Sequence, residues 1–284
     1  MAAVADIKTL EKIIIFSRHG ARGPNKNLPK MPKWEVKDLN DPPLTETGKR
    51  MCFDFGKRIT ESYKNIDFKK SLILSTNFIR TRESAKYFSK GAFGEEFSAE
   101  GSEPTIEMKL YRSRSFDTKE WSIVKKSVTF EQIQKDLNID LGELNEKISV
   151  IFGYDIKVPY DYFDVYSTLE CYSKEGIEAP KEWTGNIALK SIVHYYFNKI
   201  YADVKVQKMF IDDVYELVEE IILNHGIEFA YLSSHDTILF PLVKNITGST
   251  IEIADYCSHI RYEVWSDSIK IYHDDILLTT KKRI

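Results

Sequence analysis

The chain has 284 residues, 43% of them hydrophobic and 13% aromatic, which is enough to bury a large core in one big domain or two modest ones and which excludes disorder. Its 40 lysines and arginines against 43 aspartates and glutamates leave a formal charge of -3, so nothing in bulk attracts nucleic acid or an anionic membrane, and anion binding has to be local. No run approaches the roughly 18 apolar residues of a membrane span. Asp6, Lys8 and Glu11 interrupt the apolar stretch a signal peptide would need, and three scattered cysteines (Cys52, Cys171 and Cys257) favour a reducing compartment, with one bridge left open. The sequence as given therefore points to the cytoplasm, or to a secreted, periplasmic or lysosomal location if an export signal has been trimmed.

In chain order, LEKIIIFS (residues 10–17) reads as a strand buried on both faces, of the kind found inside an α/β sheet. Pro29, Pro32, Pro42 and Pro43 make the following stretch an irregular loop. Thr45 is a plausible N-cap for an amphipathic helix carrying Met51, Phe55 and Ile59 at four-residue spacing. SLILST (71–76) is a second buried strand, Asn77 is placed to cap a helix running to about Ser89, and TIEMKL (105–110) alternates like another strand. From about Arg112 to Asp203 the pattern becomes irregular helices dense in aromatic residues, an inserted, mainly helical cap whose rings are expected to fill its own core. Residues 209–223 form an amphipathic helix with Gly226 as its stop signal, EFAYLSS is a buried strand leading into HDTILF at a helix start, and IRYEVW, SIKIYH and ILLTT close the chain as an antiparallel meander.

In an open α/β sheet, ligands bind beyond the carboxyl ends of the strands. Three predicted strands end in polar clusters: Arg18, His19 and Arg22; Asn77 and Arg80; His235 and Asp236. Brought together, they offer three guanidinium groups, two imidazoles and a carboxyl, a site for a dianion. Guanidinium forks match phosphate oxygens in two-point contact, a neutral imidazole can attack phosphorus, and a carboxylic acid can protonate a leaving alkoxide.

RHGARGP (18–24) resembles the R-H-G-x-R-x-P signature of the histidine acid phosphatases, the acid phosphatase and phytase branch of the histidine phosphatase superfamily. LTETGKRM, STNFIRTRESA, SSHDTIL and DYCSHIRYEVW follow in that family's order. The resemblance covers residues 12–90 and 209–265. It implies that His19 is the nucleophile, that Arg18, Arg22, Arg80 and His235 bind the phosphate, and that Asp236 donates the proton. Arg80 rather than Arg82 is matched because it precedes Thr81 in the R-T-x-x-S-A pattern. The implied fold is a three-layer α/β sandwich with a central mixed, mainly parallel sheet, in which residues 1–110 and 207–284 make the core and 111–206 the inserted cap. Asn77 stands where many members have aspartate, and the chain is shorter than most.

The expected activity is phosphomonoester hydrolysis in two steps through a phosphohistidine, fastest at acidic pH. No cofactor or metal is expected, since the arginines would repel a divalent cation. The expected partner is a small-molecule phosphomonoester, with no nucleic acid and no membrane span; a homodimer is left open. Simple phosphomonoesters, sugar phosphates, lysophosphatidic acid and inositol phosphates remain alternatives, as do a non-catalytic phosphate-binding module and a phosphoglycerate mutase-like member, which Asn25 suggests. His194, His225, His259 and His273 lack motif partners and read as structural, and Asn245-Ile-Thr is a glycosylation sequon only in a secreted chain.

Overall fold

The computed structural model describes residues 9–35, 38–94, 123–250 and 252–283. Strand β1 (Leu10–Arg18) forms as its β-branched run predicts, and Ile13, Ile14, Ile15 and Phe16 are all buried. The pleat sends successive side chains to opposite faces. Ile13 and Ile15 pack with Phe55, Ile59 and Phe88, whereas Ile14 and Phe16 join Val214, Val218, Ile238 and Leu239. The sheet thus has a hydrophobic core on each side, as a layered α/β fold requires.

On one side lie α1 (Glu46–Ser62) and α2 (Ile79–Phe93), flanking β2 (Ser71–Ser75) in sequence. Thr45 caps α1 by accepting the Gly48 N–H, but Asn77 does not cap α2. That helix starts after Phe78, and its first N–H, from Ile79, is taken by both carboxylate oxygens of Asp41 at 3.0 and 2.9 Å. A carboxylate from a distant loop serves the helix end better than the local amide, because it also complements the helix dipole.

The remaining helices are α3 (Phe130–Leu137), α4 (Leu141–Phe152), α5 (Asp161–Lys174), α6 (Asn186–Ile200), α7 (Val204–Leu223) and α8 (Asp236–Thr247). Tyr162, Tyr172, Tyr196, Phe197 and Tyr201 are buried, so the aromatic-rich segment does fill an interior with its rings. That interior is continuous with the sheet: Ile148, Val165, Ile192 and Phe197 belong to the same apolar cluster as Ile14 and Phe16. Helix α7 begins at Val204, earlier than predicted, because Asp203 caps it by accepting the Lys205 N–H. It stops at Asn224 rather than through a left-handed glycine at Gly226. The predicted strand 105–110 and residues 111–122 of the inserted segment lie outside the described residues.

Strands β3 (Phe229–Ser234), β4 (His259–Trp265), β5 (Ser268–His273) and β6 (Ile276–Lys282) complete a six-stranded sheet of order β2-β3-β1-β4-β5-β6. The sheet is mixed but not mainly parallel. Among the described residues only β1–β3 and β2–β3 pair in parallel, and the other three pairings are antiparallel. Connection length explains the correction: β1, β2 and β3 are separated by helical crossovers, whereas tight turns join β4, β5 and β6, and a tight turn can only reverse the chain. Among the described residues no helix is long and apolar enough to cross a membrane.

Helices α1 and α2 meet at glycines. A Cβ at Gly91 would lie 1.9 Å from the Phe53 carbonyl oxygen, and one at Gly56 would lie 2.1 Å from that of Phe88. Gly91→Ala is therefore expected to lower the unfolding free energy by about 1–3 kcal/mol, the usual cost of overpacking. Urea titration checks this, and an unchanged midpoint and slope would contradict such close contact.

Candidate active site

Parallel register decides which residues meet. Ser17 of β1 and Ser75 of β2 both lie opposite Ser233 of β3, and Arg18 lies opposite Ser234, so the three strands end in one row. Backbone hydrogen bonds extend that register past the strands. The His19 N–H donates to the Ser234 carbonyl (3.0 Å), the Thr76 N–H to that of Ser233 (3.1 Å) and the Arg18 N–H to that of Ser258 (2.8 Å). His19, Thr76 and His235, each the first or second residue after its strand's core, are thereby placed side by side.

The structure brings together Arg18, His19, Arg22, Arg80, His235 and Asp236, all with 1–8% of their surface exposed. His19 Nδ1 lies 2.9 Å from the Gly20 carbonyl oxygen. A carbonyl only accepts, so Nδ1 carries the proton and Nε2 keeps its lone pair. Gly20 permits this packing, since a Cβ there would fall 2.6 Å from the Gly48 carbonyl oxygen and 2.7 Å from the Cys52 sulfur. Its N–H donates to Ser84 Oγ (3.0 Å), and Ser84 in turn donates to the Arg80 carbonyl (2.7 Å), tying the His19 loop to α2. The His19 and His235 rings stand edge to face at 5.5 Å, and His235 Nε2 is 2.8 Å from Thr76 Oγ1.

Each guanidinium is held by its ends. Arg18 donates to the Ala254 carbonyl (2.6 Å), pairs with Asp236 (3.1 Å) and Glu170 (3.6 Å), and lies 4.2 Å over the Tyr256 ring. Arg22 donates to the Gly23 carbonyl (2.7 Å) and reaches Ser167 Oγ (3.5 Å) and Cys171 Sγ (3.7 Å). Arg80 pairs with Asp41 (3.2 Å) and lies 4.2 Å from the Phe78 ring centre. The Nε–H of all three is buried and has no acceptor among the described residues. Asp236 opens α8, and its Oδ1 accepts the Thr237 N–H at 2.8 Å.

The electrostatics follow from this crowding. Burial, reinforced by Arg80 and Arg22, holds both His19 and His235 well below the ordinary imidazole range, so both rings are neutral. Burial and Arg22 push Arg80 down to about 9, which leaves it charged at neutral pH. Burial opposes the charge of Arg18 too, but Asp236 and Glu170 outweigh it and raise that group. Three buried cations with unfilled donors are costly unless an anion completes them. The arrangement can hold a tetrahedral dianion beside a nucleophilic nitrogen and a carboxyl. Among the described residues, no group of three or more His, Cys, Asp or Glu is arranged to hold a metal ion.

Sequence reasoning did not find Asp41, Thr76, Phe78, Ser167, Glu170, Cys171 or Tyr256. Ser167, Glu170 and Cys171 recur at helical spacing on α5, but inside an aromatic-rich pattern that reads as core. Asn77, grouped with Arg80 in the sequence, is exposed, and Thr76 beside it takes the inward position. Asn25 donates to the Leu39 carbonyl within its own loop (2.8 Å). The other histidines have structural partners or face solvent: His194 accepts the Ile253 N–H (3.2 Å), His259 lies 3.1 Å from Asp274, His273 is 3.1 Å from Ser258 Oγ, and His225 is exposed. The sequon asparagine, Asn245, sits within α8 and accepts from the Tyr215 hydroxyl (2.7 Å).

A buried neutral imidazole takes up a proton more readily when the chain unfolds. Its contribution is complete well above pH 6.5, the ordinary value, and is lost as pH falls below it. Between pH 7.5 and 5.5 each such histidine should cost about 1 kcal/mol of stability. Denaturant titrations should therefore show His235→Asn losing about 1 kcal/mol less than the parent over that interval, and equal losses would contradict a suppressed imidazole.

No family model matches the chain, and no curated protein matches it in sequence. Solved structures do. The phytase of Klebsiella sp. ASR1 superposes with a TM-score of 0.66 at 15% identity, covering 93% of this chain and 83% of that one. The Citrobacter braakii phytase gives 0.63 at 13%, covering 93% and 84%, and the multiple inositol polyphosphate phosphatase of Bifidobacterium longum, in complex with inositol hexasulfate, gives 0.63 at 10%, covering 99% and 89%. The chain shares the fold of these phytases and of the inositol polyphosphate phosphatase.

Proposed function

We propose that the chain is a histidine acid phosphatase, a phosphoric monoester hydrolase working through a phosphohistidine on His19. One observation carries this reading: the free Nε2 lone pair of a neutral, buried His19 stands among three guanidiniums whose Nε–H groups lack acceptors among the described residues. The phosphatases and phytases that share the fold support it.

In the first step the phosphoryl group rests between Arg18, Arg22 and Arg80, with His235 as a further donor. Their charge balances the dianion and the oxygens of the transition state. His19 Nε2 attacks phosphorus in line with the ester oxygen. The P–N bond forms as the P–O bond breaks, and the Asp236 carboxyl gives its proton to the departing alkoxide. In the second step water attacks the phosphohistidine, Asp236 takes up its proton, and phosphate leaves with His19 neutral again. Helix α5, within the proposed cap, faces the leaving group, since it supplies Ser167, Glu170 and Cys171 to the arginines.

The first step consumes a carboxyl proton, so turnover is expected to fall as pH rises towards neutrality when bond cleavage to the leaving group limits the rate. Glu170 is a second carboxyl beside Arg18, and burial, helped by Asp236 and Asp255, raises it from the usual range against the opposing pull of Arg18.

Steady-state hydrolysis of p-nitrophenyl phosphate tests the proposal. His19→Ala is expected to abolish turnover while the circular dichroism spectrum is kept. Asp236→Asn should lower kcat by about 10²- to 10⁴-fold with an ester of a poor leaving group, the usual worth of a general acid. Turnover retained in Asp236→Asn but lost in Glu170→Gln would move the proton donor to Glu170. No turnover in the parent from pH 4 to 8, with inorganic phosphate still raising the melting temperature, would leave a phosphate-binding module instead.

A further inference from the structure

Cys52 and Cys257 are 205 positions apart in sequence, yet their sulfurs lie 3.7 Å from each other, and both are free thiols. The two residues grip the His19 loop from different sides. The Cys52 sulfur, buried on α1, abuts Gly20, where a Cβ would fall 2.7 Å from it. Cys257 donates its backbone N–H to the His19 carbonyl (3.3 Å) and holds a left-handed φ of 60°, uncommon for a residue other than glycine. Its neighbour Tyr256 underlies Arg18 and lies 5.8 Å from the His19 ring. Cys257 is partly exposed and borders a cavity of about 450 Å³, with Met51, Asp54, Arg58 and Asp274 among the other walls, which makes it the member of the pair nearer to solvent.

We propose that Cys52 and Cys257 form an oxidative modification site that takes a hydroperoxide, and that the disulfide made there suppresses the phosphatase activity. The second half rests on His19 being the nucleophile. The Cys257 sulfur attacks the peroxide oxygen, an S–O bond forms as the O–O bond breaks, and the thiol proton leaves with the water or alcohol released. The Cys52 sulfur then attacks the sulfenic sulfur, forming the S–S bond, and the hydroxyl departs as water with the Cys52 proton. In sum, two thiols and one hydroperoxide give a disulfide, one water, and one further water or alcohol. The S–H of Cys257 lowers the Cys52 thiol, which favours its part in the second step, whereas the same contact with Cys52 and burial push the Cys257 thiol well up, so the first step is slow and calls for hydroperoxide in excess.

A disulfide is about 2.05 Å long, so the sulfurs must close by roughly 1.6 Å from their present contact. Cys52 packs on Gly20, and the Cys257 N–H is hydrogen-bonded to the His19 carbonyl, so closure moves the nucleophile, Tyr256 and with it Arg18. A misplacement of about 1 Å is enough to cost roughly 10²-fold in rate.

The test treats the full chain with hydrogen peroxide, maps disulfides by mass spectrometry after alkylation, and follows p-nitrophenyl phosphate turnover. A Cys52–Cys257 linked peptide is expected, with turnover lowered at least about tenfold and restored by dithiothreitol. Cys52→Ser and Cys257→Ser should each lose the response, and Cys171→Ser should keep it. Absence of the linked peptide overturns the site, whether or not the serine variants fold. A linked peptide with unchanged turnover, or inactivation that persists in both serine variants, overturns the coupling. A reduced chain without turnover sinks the phosphatase reading alone, because the peptide map still decides the bond.

Discussion

Three buried guanidiniums within one small space are the constraint to which the rest of the molecule answers. Arg18, Arg22 and Arg80 repel one another, and burial weakens the water that would screen them. The fold meets the cost piecemeal: Asp236 and Glu170 on Arg18, Asp41 on Arg80, and hydroxyl, thiol and carbonyl contacts on Arg22. What it leaves without an acceptor among the described residues are three buried Nε–H groups, and an anion such as phosphate would complement them. Burial and the same positive field keep His19 and His235 neutral, which leaves His19 the Nε2 lone pair that the proposed mechanism uses.

Holding such a cluster demands rigidity, and the sheet supplies it. The strands β1, β2 and β3 are buried at their carboxyl ends and locked in parallel register, so their last residues cannot slide relative to one another without turning buried side chains to the wrong face. Glycine at positions 20 and 48 lets the β1 loop lie directly on α1, so His19 is braced by helix as well as strand. The antiparallel half of the sheet contributes differently: the segment entering β4 brings Tyr256 and the Ala254 carbonyl under Arg18.

Much of this was legible in the amino-acid order because it is local. A run such as Ile13 to Phe16 has no polar face and can only be an interior strand, and the Arg18 to Pro24 signature follows it directly, so strand and site are read together. The same holds for Thr45 as a cap and for the His235-Asp236 pair at a strand end. What escaped is non-local. Asp41 replaces Asn77 as the cap of α2 across a loop, strand polarity depends on connections rather than on the strands themselves, and Glu170 acquires its role only when α5 folds back over β1. Tyr256 has the composition of core and the position of a binding wall, which no periodicity separates.

Passage of the phosphoryl group through His19 would be visible by rapid-quench trapping with a ³²P-labelled phosphomonoester. Alkaline quenching within the first turnover, followed by peptide mapping, should place acid-labile, base-stable label on the peptide that carries His19, bound at Nε2, with none in His19→Ala. Turnover in the parent with label on another residue would contradict the account.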